Sequence, residues 1–274
     1  MRVDRPIGTV LVLMPTLWSL WIASSGKPSF LNVFIFTAGC FLMRSAGCVM
    51  NDIADRRFDR LVARTKTRPI AAGEVSVKEG LGLFFFLAFL SFLLILSLNR
   101  LTLLLSAAGL LLAVFYPFTK RFISLPQFVL GISFGWGAIM AWAAVRNRIE
   151  LPAILIFSAN IFWSMAYDTI YALMDRDDDL KAGVKSSAIL LGKSVWLGVA
   201  FFLSMVIILL AATGWVAQIH PAYYWILAMT GIAFFLQVFQ LKKNDSPEVA
   251  FRLFKKHGLL GFLILSGIVS AYLL

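Results

Sequence analysis

Acidic side chains are scarce in this 274-residue chain: 14 Asp and Glu stand against 25 Lys and Arg, a net charge of +11. Cysteine and histidine occur twice each. Cys40 and Cys48 fall within one apolar stretch, which excludes a disulfide scaffold and a thiolate metal site. No tract alternates apolar with polar residues, so an outer-membrane barrel is excluded. Low-complexity sequence is lacking, and so is any polar stretch long enough for a soluble domain; the longest polar loops are 59–76 and 177–191. What is abundant is apolar surface, at 60% of residues and a mean hydropathy of +0.86. Soluble domains hold about 45–50%. The apolar share of 274 residues is about 164 and each span takes about 20, enough for eight or nine crossings.

Apolar runs and their breakers predict an all-α integral membrane protein of a single domain, 1–274, with nine transmembrane helices bundled around a central cavity. They lie near 8–25, 30–58, 77–98, 101–116, 126–145, 151–176, 192–216, 221–241 and 256–273. Taken in alternation, the connecting segments sort the cations: 20 of the 25 fall on the side of Arg2 and Arg5, and four, Lys27, Arg100, Arg146 and Arg148, on the other. That bias puts the N-terminus and the basic face in the cytoplasm. It also accounts for a net charge that in a soluble protein would suggest nucleic acid, so no nucleic-acid partner is expected. Nor does anything in the chain call for an obligate protein partner.

Eight of the 14 acids sit in two windows on that face, Asp52, Asp55 and Asp59, then Asp168, Asp175, Asp177, Asp178 and Asp179. Helical spacing lines up Asp52, Asp55 and Asp59 on one face, with Asn51 beside Asp55. Asp168, Asp175 and Asp179 form a second stripe that includes Tyr171. Like charges at these spacings repel, and desolvation near a membrane adds to the cost. Something positive must compensate. Oxygen-only ligands point to a hard cation such as Mg²⁺, which combines a few carboxylates with substrate phosphates. His220 and His257 lie far from both windows along the chain and read as ordinary polar residues.

Basic residues flank the acids: Arg64 and Arg68 in the run Arg64-Thr-Lys-Thr-Arg-Pro69, and Lys120 in Tyr116-Pro-Phe-Thr-Lys120. Arg and Lys suit phosphate oxygens, so acids and cations together read as a diphosphate site. About four carboxylates and a diphosphate of about −3, set against two Mg²⁺ and three cations (Arg64, Arg68, Lys120), come near neutrality. Arg44 precedes Asn51 by seven residues, about 10 Å deeper in the membrane on the same face. An intramembrane Arg is a functional candidate, here for a carboxylate.

These motifs resemble those of the UbiA-type intramembrane prenyltransferases. The pattern Asn-Asp-x-x-Asp-x-x-x-Asp is met by Asn51, Asp52, Asp55 and Asp59, and Arg-Thr-x-x-Arg-Pro by Arg64, Thr65, Arg68 and Pro69. Asp168, Tyr171, Ala172, Asp175 and Asp179 meet the second acid motif, and Tyr116 and Lys120 a Tyr-x-x-x-Lys element. The resemblance implies that Asp55, Asp59, Asp175 and Asp179, helped by Asn51 and Asp52, hold two Mg²⁺ on the diphosphate. It implies that Arg64, Arg68, Lys120, Tyr116 and Tyr171 hold the diphosphate oxygens. Asp168 is counted with the catalytic acids, its individual role open. The local runs Asp4–Gly8, Pro15–Trp18, Met43–Cys48 and Asp168–Ser187 favour 4-hydroxybenzoate as acceptor and a polyprenyl diphosphate as donor, in ubiquinone synthesis at the bacterial inner membrane, among membrane lipid. Arg44 would take the benzoate carboxylate. Other aromatic acceptors, naphthoate or homogentisate, and a divalent-cation transporter are the rivals. A transporter needs polar groups at the midplane, and Asn160 and Ser164 are the main ones beside Asp168.

Overall fold

The computed structural model describes residues 4, 6–60, 62, 65–119, 121–183 and 185–274, without the side chains of residues 177, 178 and 182. Arg2 and Arg5, two of the cations in the charge bias, lie outside the described residues. Every regular element among the described residues is helical: α1 (Ile7–Ala23), α2 (Phe30–Asp59), α3 (Pro69–Ala72), α4 (Val77–Ile95), α5 (Arg100–Thr119), α6 (Pro126–Arg146), α7 (Leu151–Ala172), α8 (Arg176–Ala182), α9 (Ser187–Leu191), a 3₁₀ turn (Gly192–Ser194), α10 (Val195–Val216), α11 (Ala222–Lys243) and α12 (Pro247–Leu273). Among the described residues, eight helical runs are long and apolar enough to cross a membrane, with Ser187–Val216 counted as one; α1 is apolar but shorter, at 17 residues.

The starts of these helices follow local chemistry. Ser29 and Ser76 cap α2 and α4 through their hydroxyls, and Glu79 completes a capping box with Ser76. Proline occupies the first turn of α3, α6, α7 and α12, where no amide hydrogen is needed.

α7 is the most buried of the spans and packs against α6 and α10, while α1 packs against α6 and α12. The α6–α7 approach depends on Gly131: a Cβ there would stand 2.7 Å from the Ile161 Cα. In lipid, association relies on such close packing and on matched polar groups rather than on the hydrophobic effect. Several buried polar groups are matched accordingly. Ser19 donates to the Ala138 carbonyl at 2.6 Å, Trp18 to that of Gly261 at 3.1 Å, and Trp163 to Nδ1 of His257 at 2.8 Å. Asn160 donates to the Gly131 carbonyl at 2.9 Å, and Ser164 shares a 2.8 Å bond with the Tyr167 hydroxyl. The two polar residues that a transport path would use are therefore hydrogen-bonded already, Asn160 across to α6 and Ser164 within α7. Outward faces of α4, α5 and α11 carry exposed Phe85, Phe86, Phe89, Leu104 and Phe235, as lipid contact requires. In the α6–α7 loop, the Trp142 indole donates to Glu150 at 2.9 Å and holds its carboxyl below the ordinary range, and Arg148 pairs with it at 2.7 Å.

Two helix boundaries differ from expectation where the sequence is charged. The helix expected over 151–176 ends at Ala172. Leu173, Met174 and Asp175 tighten the chain with bonds to Ile170, Tyr171 and Ala172, and α8 starts at Arg176. A new helix start suits an Asp-rich stretch, because the helix dipole is positive there. The stripe of Asp168, Asp175 and Asp179 thus does not run along one helix. The last helix starts at Pro247 rather than 256. Ser246, Pro247 and Glu248 form a start signal that the cations Arg252, Lys255 and Lys256 obscure in a hydropathy reading.

Gly131→Leu would drive a side chain into the α7 backbone. We expect a loss of about 1–3 kcal/mol, read as a lower melting temperature of the detergent-solubilised protein. An unchanged melting temperature would mean that the α6–α7 contact does not limit stability.

Candidate active site

Both acid motifs open onto one cavity of about 1770 Å³. On α2, Gly39, Met43, Gly47, Asn51, Asp55 and Asp59 line it at intervals of four residues, which keeps the stripe on one side of the helix. Asp168 and Tyr171 from the end of α7, Asp175 from the turn and Asp179 from α8 also line it. The helix break does not separate the second motif, since all three of its acids reach the same cavity. Tyr116, in the last turn of α5, and Arg44, on α2, are on its wall too. Away from the acids the lining turns apolar, with Ile35, Phe36, Phe92, Leu110 and Trp136.

Asp52 is the exception among the described candidates. It is buried and off the cavity lining, and its Oδ1 lies 3.3 Å from Nη1 of Arg68. The same Arg68 nitrogen donates to Oδ2 of Asp59 at 2.7 Å. Seven residues, two helical turns, separate the two carboxylates, so they share a face that a single guanidinium can span. Arg68 reaches them because the segment after α2 folds back on it. Thr65 donates to the Asp59 carbonyl at 3.0 Å, and Arg60 donates to that of Ala71 at 2.8 Å. Pro69 keeps Arg68 extended, with φ −64° and ψ 137°, at the start of α3. Arg68 also lines the cavity, beside the acids it neutralises. Arg64 and Lys120, the other two expected diphosphate cations, lie outside the described residues.

Among the described residues no three His, Cys, Asp or Glu side chains come together as a self-sufficient metal cluster. The donors are instead spread around the cavity. One of them is conspicuous: Oδ1 of Asn51 is buried on this wall without a hydrogen-bond partner. Cys40 and Cys48 are free and buried, in accord with the absence of a disulfide.

Polar residues that the sequence reading did not select also line the site, among them Arg121, Gln127 and Lys255. Arg121 lines the cavity and donates to the Ala54 carbonyl at 2.8 Å, tying the end of α5 to the acid-bearing part of α2. Its signal was adjacency to Lys120. Gln127 accepts from the Ser187 amide at 3.2 Å and gave no signal in an apolar helix. Lys255 lines the cavity from α12; with the helix expected to begin at 256, it read as loop charge.

A sequence profile described as the UbiA prenyltransferase family matches residues 12–265. The chain belongs to this family. Relatives within it include the 4-hydroxybenzoate octaprenyltransferase of Tolumonas auensis, 48% identical over 270 residues, covering 98% of this chain and 94% of that protein. The enzyme of the same name from Salmonella paratyphi C is 46% identical over 272 residues, covering 99% and 93%. Among solved structures, the apo form of a UbiA homolog from Aeropyrum pernix K1 superposes with a TM-score of 0.84 at 25% identity, covering 98% of each chain. A UbiA homolog from Archaeoglobus fulgidus bound to DMAPP and Mg²⁺ shares the fold, with a TM-score of 0.74 at 18% identity over 100% of this chain and 98% of that one. The UbiA fold thus accounts for the helical bundle and for a multi-pass membrane protein.

Removing the Arg68 side chain would take from Asp52 and Asp59 the cation they share in a largely buried place. Arg68→Ala should lower stability by about 3–5 kcal/mol, seen as a drop in melting temperature. Adding Asp52→Asn to that variant should recover part of it. Full stability in Arg68→Ala would show that the carboxylates do not depend on this cation.

Proposed function

We propose that this chain is a Mg²⁺-dependent 4-hydroxybenzoate polyprenyltransferase, joining a polyprenyl group to the carbon ortho to the acceptor hydroxyl and releasing diphosphate, in ubiquinone biosynthesis. The observation that carries this reading is that both acid motifs of a UbiA-family chain face one cavity whose lining further along α2 is mainly apolar. Full-length relatives named for 4-hydroxybenzoate support the acceptor. The protein would lie in the bacterial inner membrane as one domain, with α1 as the ninth span and the N-terminus and acids at the cytoplasmic face. The 20 cations on that side support this orientation, and the shared cavity lined from α1 to α12 supports a single domain.

The residues present fit Mg²⁺. It keeps several waters and takes one or two carboxylates together with phosphate oxygens, so it requires no tight protein cluster. The orphaned Oδ1 of Asn51 and the carboxylates of Asp55, Asp59, Asp175 and Asp179 supply hard oxygen donors around one space. Asp52 would contribute indirectly, by holding Arg68. When bound, Mg²⁺ would stabilise negative charge on the leaving diphosphate.

The remaining work falls to the chain itself. Arg68, with Arg64, Lys120, Tyr116 and Tyr171, would orient the diphosphate oxygens so that the allylic C–O bond breaks toward the cations. The apolar lining would hold the prenyl tail and keep water from the cationic carbon. Arg44 would hold the acceptor carboxylate, directing the electron-rich ring carbon at the allylic centre. Loss of the ring proton then restores aromaticity. Asp168 lies on the same wall, among the acids near the reacting groups.

The test is prenyl transfer by purified protein in nanodiscs with 4-hydroxybenzoate and polyprenyl diphosphates. Asp55→Ala and Asp175→Ala should each lower kcat by about a thousandfold or more, on the scale of losing a key electrostatic group, while the protein still inserts. EDTA should stop turnover and Mg²⁺ restore it. Near-normal turnover in either variant, or ion flux without transfer, would overturn the assignment.

A further inference from the structure

The guanidinium of Arg44 is enclosed by three helices. On α2 its Nη1 donates to Sγ of Cys48, one turn further along. On α6 the Phe134 ring lies beneath it, its centroid 5.7 Å from Cζ. On α1 it meets Gly8, which is buried and also lines the cavity. A Cβ at Gly8 would stand 2.6 Å from Nε, 2.6 Å from Nη2 and 2.9 Å from Cζ. Those three distances put the Cβ position in front of the Nε–Nη2 edge of the guanidinium. Arg44 therefore occupies the space that any other residue at position 8 would take with its side chain. The buried Nε has no hydrogen-bond partner. Its plane is thus set by a sulfur, a ring and a bare stretch of backbone, none of which brings a charge.

We propose that Gly8 is a positioning residue for recognition of a planar aromatic carboxylate, acting through Arg44. The inference rests on the reading of Arg44 as the acceptor's anion site and extends it to α1. A guanidinium recognises a carboxylate through the direction of its N–H bonds as much as through charge. Gly8 lets the group lie against α1 while Phe134 holds its plane; a methyl at position 8 removes that resting place and turns the N–H vectors away. The charge remains in the cavity, so binding of the prenyl diphosphate should change little, and so should binding of an acceptor without a carboxylate. A side chain that merely loosened α1 would instead impair all substrates together.

The experiment uses the full-length protein in nanodiscs, with 4-hydroxybenzoate compared to its uncharged amide, the amide read as a substrate or as a competitive inhibitor. Gly8→Ala should raise KM for the acid about tenfold, the scale of one charged hydrogen bond, and shift the amide constant and the donor KM by less than about twofold. Phe134→Leu, which leaves α1 untouched, should give the same split and serves if Gly8→Ala inserts poorly. If acid and amide move together in these variants, or neither moves, the positioning role is overturned. Arg44→Ala separates the two levels. If it fails to discriminate acid from amide, the reading of Arg44 itself falls; if it discriminates and Gly8→Ala does not, only the role of Gly8 falls.

Discussion

The structure is organised around negative charge that has to be held beside a lipid-facing apolar bundle. Carboxylates in such a setting lose hydration, and their mutual repulsion is poorly screened. The chain concentrates its few acids there nonetheless and answers them with Arg68, whose single nitrogen reaches both Asp52 and Asp59. That contact explains the fold-back of the segment after α2, the Thr65 and Arg60 bonds that secure it, and the placement of Pro69. The acids that remain on the cavity wall, Asp55, Asp168, Asp175 and Asp179, face a space large enough for a charged substrate group.

The rest of the bundle makes that concentration tolerable. Core helices α1, α6 and α7 are drawn together by small residues and by side chains bonded to the backbone of a neighbour, such as Ser19 to Ala138 and Asn160 to Gly131. A framework held this way is stiff without needing charge of its own. It leaves a cavity that is charged where α2 faces the end of α7 and α8 and mainly apolar further along α2, which matches a donor that is a diphosphate at one end and an isoprenoid at the other. The same economy holds at Arg44, where neutral partners set the plane of a cation.

Much of the site was legible along the chain because helical periodicity places residues by arithmetic. Asn51, Asp55 and Asp59 are on one stripe of a continuous helix, as their spacing requires, and Asp168, Tyr171 and Asp175 face them. Legibility failed where charge and periodicity conflict. Asp168, Asp175 and Asp179 fit a helical stripe, yet the helix breaks after Ala172 and restarts. Asp52 fits the first stripe equally well, yet it lies off the cavity lining, 3.3 Å from Arg68, sixteen residues away. Lys255 was read as loop because hydropathy averages hide a helix whose first turns are charged.

Composition and spacing by themselves determined that the chain is helical, membrane-embedded and equipped with two acid motifs of hard oxygen donors. These follow from properties that a residue carries into any fold: transfer cost, helical period, ligand hardness. Only the tertiary structure decided which acids share a cavity, that one arginine serves two of them, and that Gly8 on α1 lies against Arg44 on α2. Those are meetings between residues distant in sequence, and they are set by how closely helix backbones can approach, which depends on every side chain between them.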